Sequence, residues 1–235
     1  MSVLTNDILM NATSESSPVD CTNQYVPPLF FPGLASLNVP SSPKQVQGQP
    51  PQAYVNRDQL YELRLGIGSL GEDIVITTIS IGFHDNPTPL EVQRRWALWR
   101  SKNASERVTS ALKIIPEQSP NVYVLDVSQP DRITVAWIPG QNPSLALKFG
   151  FLSTDFTHRT GVKGVSARLI ISHTALNFPG LNLGATYLPV KSFRGNGAQR
   201  RYRNDMRSLG TFTSLRGVTV LETPLPEDEV QVPYL

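Results

Sequence analysis

From Tyr61 onward the apolar positions fall on every second residue. Tyr61, Leu63, Leu65 and Ile67 alternate with Glu62, Arg64 and Gly66, which predicts a strand with one buried face. A second strand, Asp73 to Phe83, follows the turn Gly68-Ser69-Leu70-Gly71. That junction contains a formal G-x-G-x-x-G at Gly66, Gly68 and Gly71. In a dinucleotide site the glycines lead into a helix whose N-terminus holds the pyrophosphate. Here they lead into the β-branched run Ile74-Val75-Ile76-Thr77-Thr78-Ile79 and read as a hairpin loop.

The period changes at Thr88. Thr88 as N-cap, Pro89 at the first helical position and Glu91 three residues after the cap form a capping box, and Val92, Trp96 and Trp99 then share one side. A second start at Asn103 with Glu106 leads to Val108, Leu112 and Ile115 before Pro116, which predicts a helical pair at about 89–115. Trp96 and Trp99 could stack on bases, but aromatic residues at helical spacing more commonly fill a core. After Pro120 the chain returns to strands: Val122 to Val127, Ile133 to Ile138, Leu145 to Leu152, Ala167 to Ser172, Thr186 to Val190 and Gly217 to Leu221. The fold class predicted is mainly β with a helical insertion (α+β), as an antiparallel sandwich or a partly open barrel.

Residues 1–56 carry eight prolines and four charges with no period, and are expected to be a disordered Pro/Ser/Gln-rich arm before a β-rich domain at 57–221. Within the arm, Tyr25 to Leu37 is too apolar for water. Its Leu29, Phe30 and Phe31 are expected to dock, either as a strap on the parent domain or on another copy in a homo-oligomer. Pro50-Pro51-Gln52-Ala53-Tyr54 is one residue too long for the proline-tyrosine motif of WW ligands. Residues 222–235 are expected to be an acidic tail.

Composition removes most chemistry. The single cysteine, Cys21, has no partner for a disulfide, and His84, His158 and His173 lie in different elements without metal-ligand spacing. No nucleophile-elbow motif is present, so neither enzyme activity, metal nor cofactor is expected. The first ten residues lack the pattern of a signal peptide and no apolar run approaches the length of a membrane span, which favours a reducing, intracellular setting.

Charge then changes the picture. The whole chain is formally +2, yet Lys191, Arg194, Arg200, Arg201, Arg203 and Arg207 crowd one window with a single acid. Gly195, Asn196 and Gly197 among them predict a flexible loop able to follow phosphate groups on an anionic membrane or a nucleic acid. Lys191-x-x-Arg194 followed by Arg200-Arg201-x-Arg203 also reads as a loose two-part nuclear-import signal, with the import machinery as its partner.

A proline-rich arm, a β-rich body with one helical insertion and a basic loop at Lys191 to Arg207 together resemble the matrix proteins of negative-strand RNA viruses, of the rhabdovirus type. The resemblance is one of organisation; residues 1–43 lack the basic N-terminus of most such proteins. It implies a self-associating, non-enzymatic structural protein that binds the viral nucleocapsid or RNA and an anionic membrane surface. Its location would be the virion, the host cytoplasm and inner membrane surface, and the host nucleus. A viral coat protein and a plant-virus movement protein, both binding single-stranded nucleic acid, remain open alternatives.

Overall fold

The structure is a computed structural model that describes residues 35–42, 51–67, 74–106, 108–158, 164–177, 182–208 and 218–221. In chain order the first half holds β1 (Ala35–Asn38), β2 (Ala53–Asn56), β3 (Leu60–Leu65), β4 (Val75–Phe83), α1 (Pro89–Asn103) and β5 (Leu112–Ile114). The second half holds β6 (Tyr123–Asp126), β7 (Arg132–Trp137), β8 (Ser144–Phe149), β9 (Ala167–Ala175), β10 (Asn182–Phe193), α2 (Gly197–Ser208) and β11 (Val218–Leu221).

These strands form the α+β sandwich that the alternating pattern predicts. One sheet has five strands in the order β11-β1-β3-β8-β5, and the other six in the order β2-β10-β9-β4-β7-β6. Among the described residues every strand pairing is antiparallel except that of β2 with β10, where Tyr54 lies beside Lys191 and Asn56 beside Phe193. The inward residues of β3 and β8, among them Leu63, Leu145, Leu147 and Phe149, meet Val75, Ile79, Ile133, Val135, Leu169 and Ile171 of the facing sheet in one core. Lys148 on the other face of β8 remains half-exposed, as the alternation requires.

The capping box forms as the sequence predicts. The Thr88 amide donates to Glu91 Oε2 at 2.9 Å while the Glu91 amide donates to Thr88 Oγ1 at 3.4 Å. Trp96 and Trp99 are core side chains, set edge to face at 5.6 Å, with Trp96 also packed on Phe83 and Phe156. Neither is placed to stack on a base.

Three expectations need correction. β3 and β4 do not pair as the hairpin read from Gly66, Gly68 and Gly71, because β3 belongs to the five-stranded sheet and β4 to the six-stranded one. The second helix does not form: Asn103 turns its side-chain amide back to the Trp99 carbonyl at the end of α1. Leu112–Ile114 then pairs as a strand with β8, because Leu112 and Ile114 find Phe149 and Leu147 across the sheet, and that tertiary pairing outweighs a short helical spacing. Two segments of the stretch read as an arm are strands: β1 inserts between β3 and β11, and β2 edges the six-stranded sheet. All four β2 side chains are buried, so that strand carries no alternation to read. Cys21, Leu29, Phe30, Phe31 and the acidic tail lie outside the described residues.

Candidate nucleic-acid interface

The basic window is not a flexible loop. Lys191 is half-buried on β10, Arg194 lies in the following turn, and Arg200, Arg201, Arg203 and Arg207 are all carried on α2. Two glycines in the window suggested a loop, but each serves the start of the helix. Gly195 has φ +54°, a left-handed conformation that sharpens the turn out of β10. A Cβ on Gly197 would meet Phe193 Cβ at 2.6 Å.

What caps the helix is remote in sequence. Asn56 Oδ1 on β2 accepts a hydrogen bond of 2.9 Å from the Ala198 amide, and Asn56 Nδ2 donates to Gln199 Oε1 at 2.7 Å. The Asn56 amide in turn donates to the Tyr61 hydroxyl at 2.7 Å, so the capping residue is itself fixed by the core. Two turns further along, the Tyr54 hydroxyl donates to Asp205 Oδ2 at 2.6 Å. Tyr54 is 2% and Asp205 3% exposed, and Tyr54 meets Phe193 edge to face at 5.7 Å. Burial pushes the Tyr54 phenol above its ordinary value, and the bond to Asp205 adds to this, so the phenol remains the proton donor at neutral pH.

With the helix held at both ends against β2 and β10, its rotation is set. Ala198 and Asp205 face the sheet, while Arg200, Arg203, Asn204 and Arg207 form an exposed stripe at i, i+3, i+4 and i+7. Arg201 differs from its neighbours. Its Nε donates to Asp205 Oδ2 at 3.1 Å, which turns the guanidinium back toward the protein, and bonding within the Tyr54 and Asp205 cluster raises its pKa. Sequence reasoning located the charges but missed Asn56, Tyr54 and Asp205, whose role depends on strand pairing. Among the described residues no cluster of His, Cys, Asp and Glu could hold a metal ion, and no helix is long and apolar enough to cross a membrane.

The remote cap yields a measurable expectation. Asn56→Ala removes the acceptor for Ala198 and the donor to Gln199, and lowers stability by about 1–2 kcal/mol. Hydrogen exchange in the first turn of α2 accelerates more than in β4; equal acceleration throughout the protein would remove Asn56 from the capping role.

The family model of the CP2 transcription factor matches residues 6–211. The chain is 25% identical over 217 residues to the Grainyhead-like protein 3 homolog of Xenopus laevis, an alignment covering 86% of this chain and 35% of that protein. It is 25% identical over 181 residues to the Grainyhead-like protein 1 homolog of Mus musculus, covering 73% and 29%. With the human Grainyhead-like protein 2 homolog the identity is 23% over 183 residues, again covering 73% and 29%. The chain thus spans about a third of the length of the curated relatives it matches. These matches overturn the resemblance to viral matrix proteins, and with it the nucleocapsid, the anionic membrane surface and the virion as partners and location. A β-rich body with a basic segment is shared by many unrelated proteins, and no motif tied this chain to a virus.

Proposed function

Because this chain belongs to the CP2 transcription factor family, we propose that its β-sandwich is a non-enzymatic, nuclear, sequence-reading domain for double-stranded DNA, with α2 as the element that enters the major groove. The observation that carries this reading is the stripe Arg200, Arg203, Asn204 and Arg207 on a helix fastened to the sheet edge. The major groove admits an α-helix, and arginine pairs bidentately with guanine O6 and N7, as asparagine does with adenine N6 and N7. Arg200 and Arg203, one turn apart, take the base edges. Arg207 at the end of the helix and Arg194 in the turn before it take phosphates on either side, with Lys191 behind them on β10. Rigid anchoring favours duplex over single strands, since a fixed helix matches one groove and does not follow a flexible strand.

Selection from a random duplex pool, followed by fluorescence anisotropy at several salt concentrations, tests the reading. The selected duplex binds tighter than a scrambled one by about 10³-fold or more, and affinity falls with salt at a slope of about −0.9 for each phosphate contacted. Equal affinity for all duplexes, or stronger binding to single-stranded RNA, would overturn it.

A further inference from the structure

The stripe leaves one arginine of α2 unused. Arg201 is held by Asp205, a carboxylate buried beneath a helix whose other four charged residues are all arginines. A buried carboxylate is costly unless it is bonded, and it is unnecessary for folding if its one task is to meet Tyr54, because asparagine would accept that hydrogen bond as well. Its charge is paired with Arg201, whose Nε donates to Asp205 Oδ2 at 3.1 Å. The Arg201 side chain is 48% exposed, within reach of solvent on the helix flank, and Asp205 is the carboxylate that bonds its Nε.

We propose that Asp205 is a positioning residue that withholds Arg201 from the DNA backbone and so limits the number of phosphates α2 can neutralise, an inference that rests on the duplex-binding reading above. Tyr54 is part of the device: its hydroxyl occupies the same Oδ2 that receives Arg201 Nε, which fixes the carboxylate on the inner side of the helix. With Asp205 present, the helix meets DNA through Arg200, Arg203 and Arg207. With the carboxylate neutralised, Arg201 is released to a phosphate and sequence-independent attraction increases.

Salt-dependent anisotropy on the folded chain with a selected duplex decides this, comparing wild type, Asp205→Asn, Arg201→Gln and the double variant. Asp205→Asn steepens the slope of log affinity against log salt by about 0.9, the value of one added phosphate contact. Arg201→Gln leaves the wild-type slope unchanged, and the double variant returns to it. An unchanged slope in a folded Asp205→Asn protein overturns the proposal, as does a shallower slope in Arg201→Gln. Should Asp205→Asn unfold, Tyr54→Phe takes its place by removing the hydroxyl that fixes Asp205 Oδ2: a steeper slope supports the proposal and an unchanged slope in the folded variant overturns it. Failure of the duplex reading shows differently, as absence of sequence preference in the wild type.

Discussion

Arg200→Gln with Arg203→Gln lowers affinity for the selected duplex by about 30-fold or more, because each bidentate arginine–guanine pair contributes about 1–3 kcal/mol. Both side chains are exposed, so the thermal midpoint stays at the wild-type value. The salt slope separates base from phosphate contacts. It changes little in the double variant if both arginines read bases, whereas Arg207→Gln makes it shallower by about 0.9 with equal losses on selected and scrambled duplexes. A loss below about threefold in the double variant would remove α2 from the interface.

The second large effect concerns stability. Trp99 is 1% exposed, its Nε1–H donates to the Gly150 carbonyl at 3.4 Å, and its ring meets Trp96 edge to face. Trp99→Ala leaves a cavity where α1 closes over the sandwich and strands the Gly150 carbonyl, at a cost of about 3–5 kcal/mol. Urea denaturation checks the value. Below the new transition, duplex affinity remains at the wild-type level, because α2 rests on β2 and β10 rather than on α1. A destabilisation under about 1 kcal/mol would mean that Trp99 does not fill the core.

What the sequence disclosed follows the range of the forces involved. The alternation in Leu60–Leu65 and Ser144–Phe149 arises from one buried sheet face, and the Thr88 capping box is complete within four residues, so both were legible. Leu112 and Ile115 mimic a helical face, yet the Ile115 amide donates to the Ala146 carbonyl, a bond with a distant segment of the chain. The basic cluster was visible as charge. Its helical form was not, since the acceptor for the Ala198 amide is Asn56 and the anchor of Asp205 is Tyr54, both far away in sequence. Organisation without a motif led toward a viral class, and the match over residues 6–211 corrected it.

The separation of 142 residues between Asn56 and Ala198 also orders events in time. A 12-residue helix with two nearby glycines, capped by Asn56 of a distant strand, is marginal in isolation, since nucleation is unfavourable and short helices gain little from propagation. It must wait for the parallel pairing of β2 with β10, a long-range closure that comes late because its loop entropy is lost before its contacts are gained. A nascent or partly unfolded chain therefore carries its arginines without the helix that aligns them, and the proposed groove reading would begin only once the two distant strands have met.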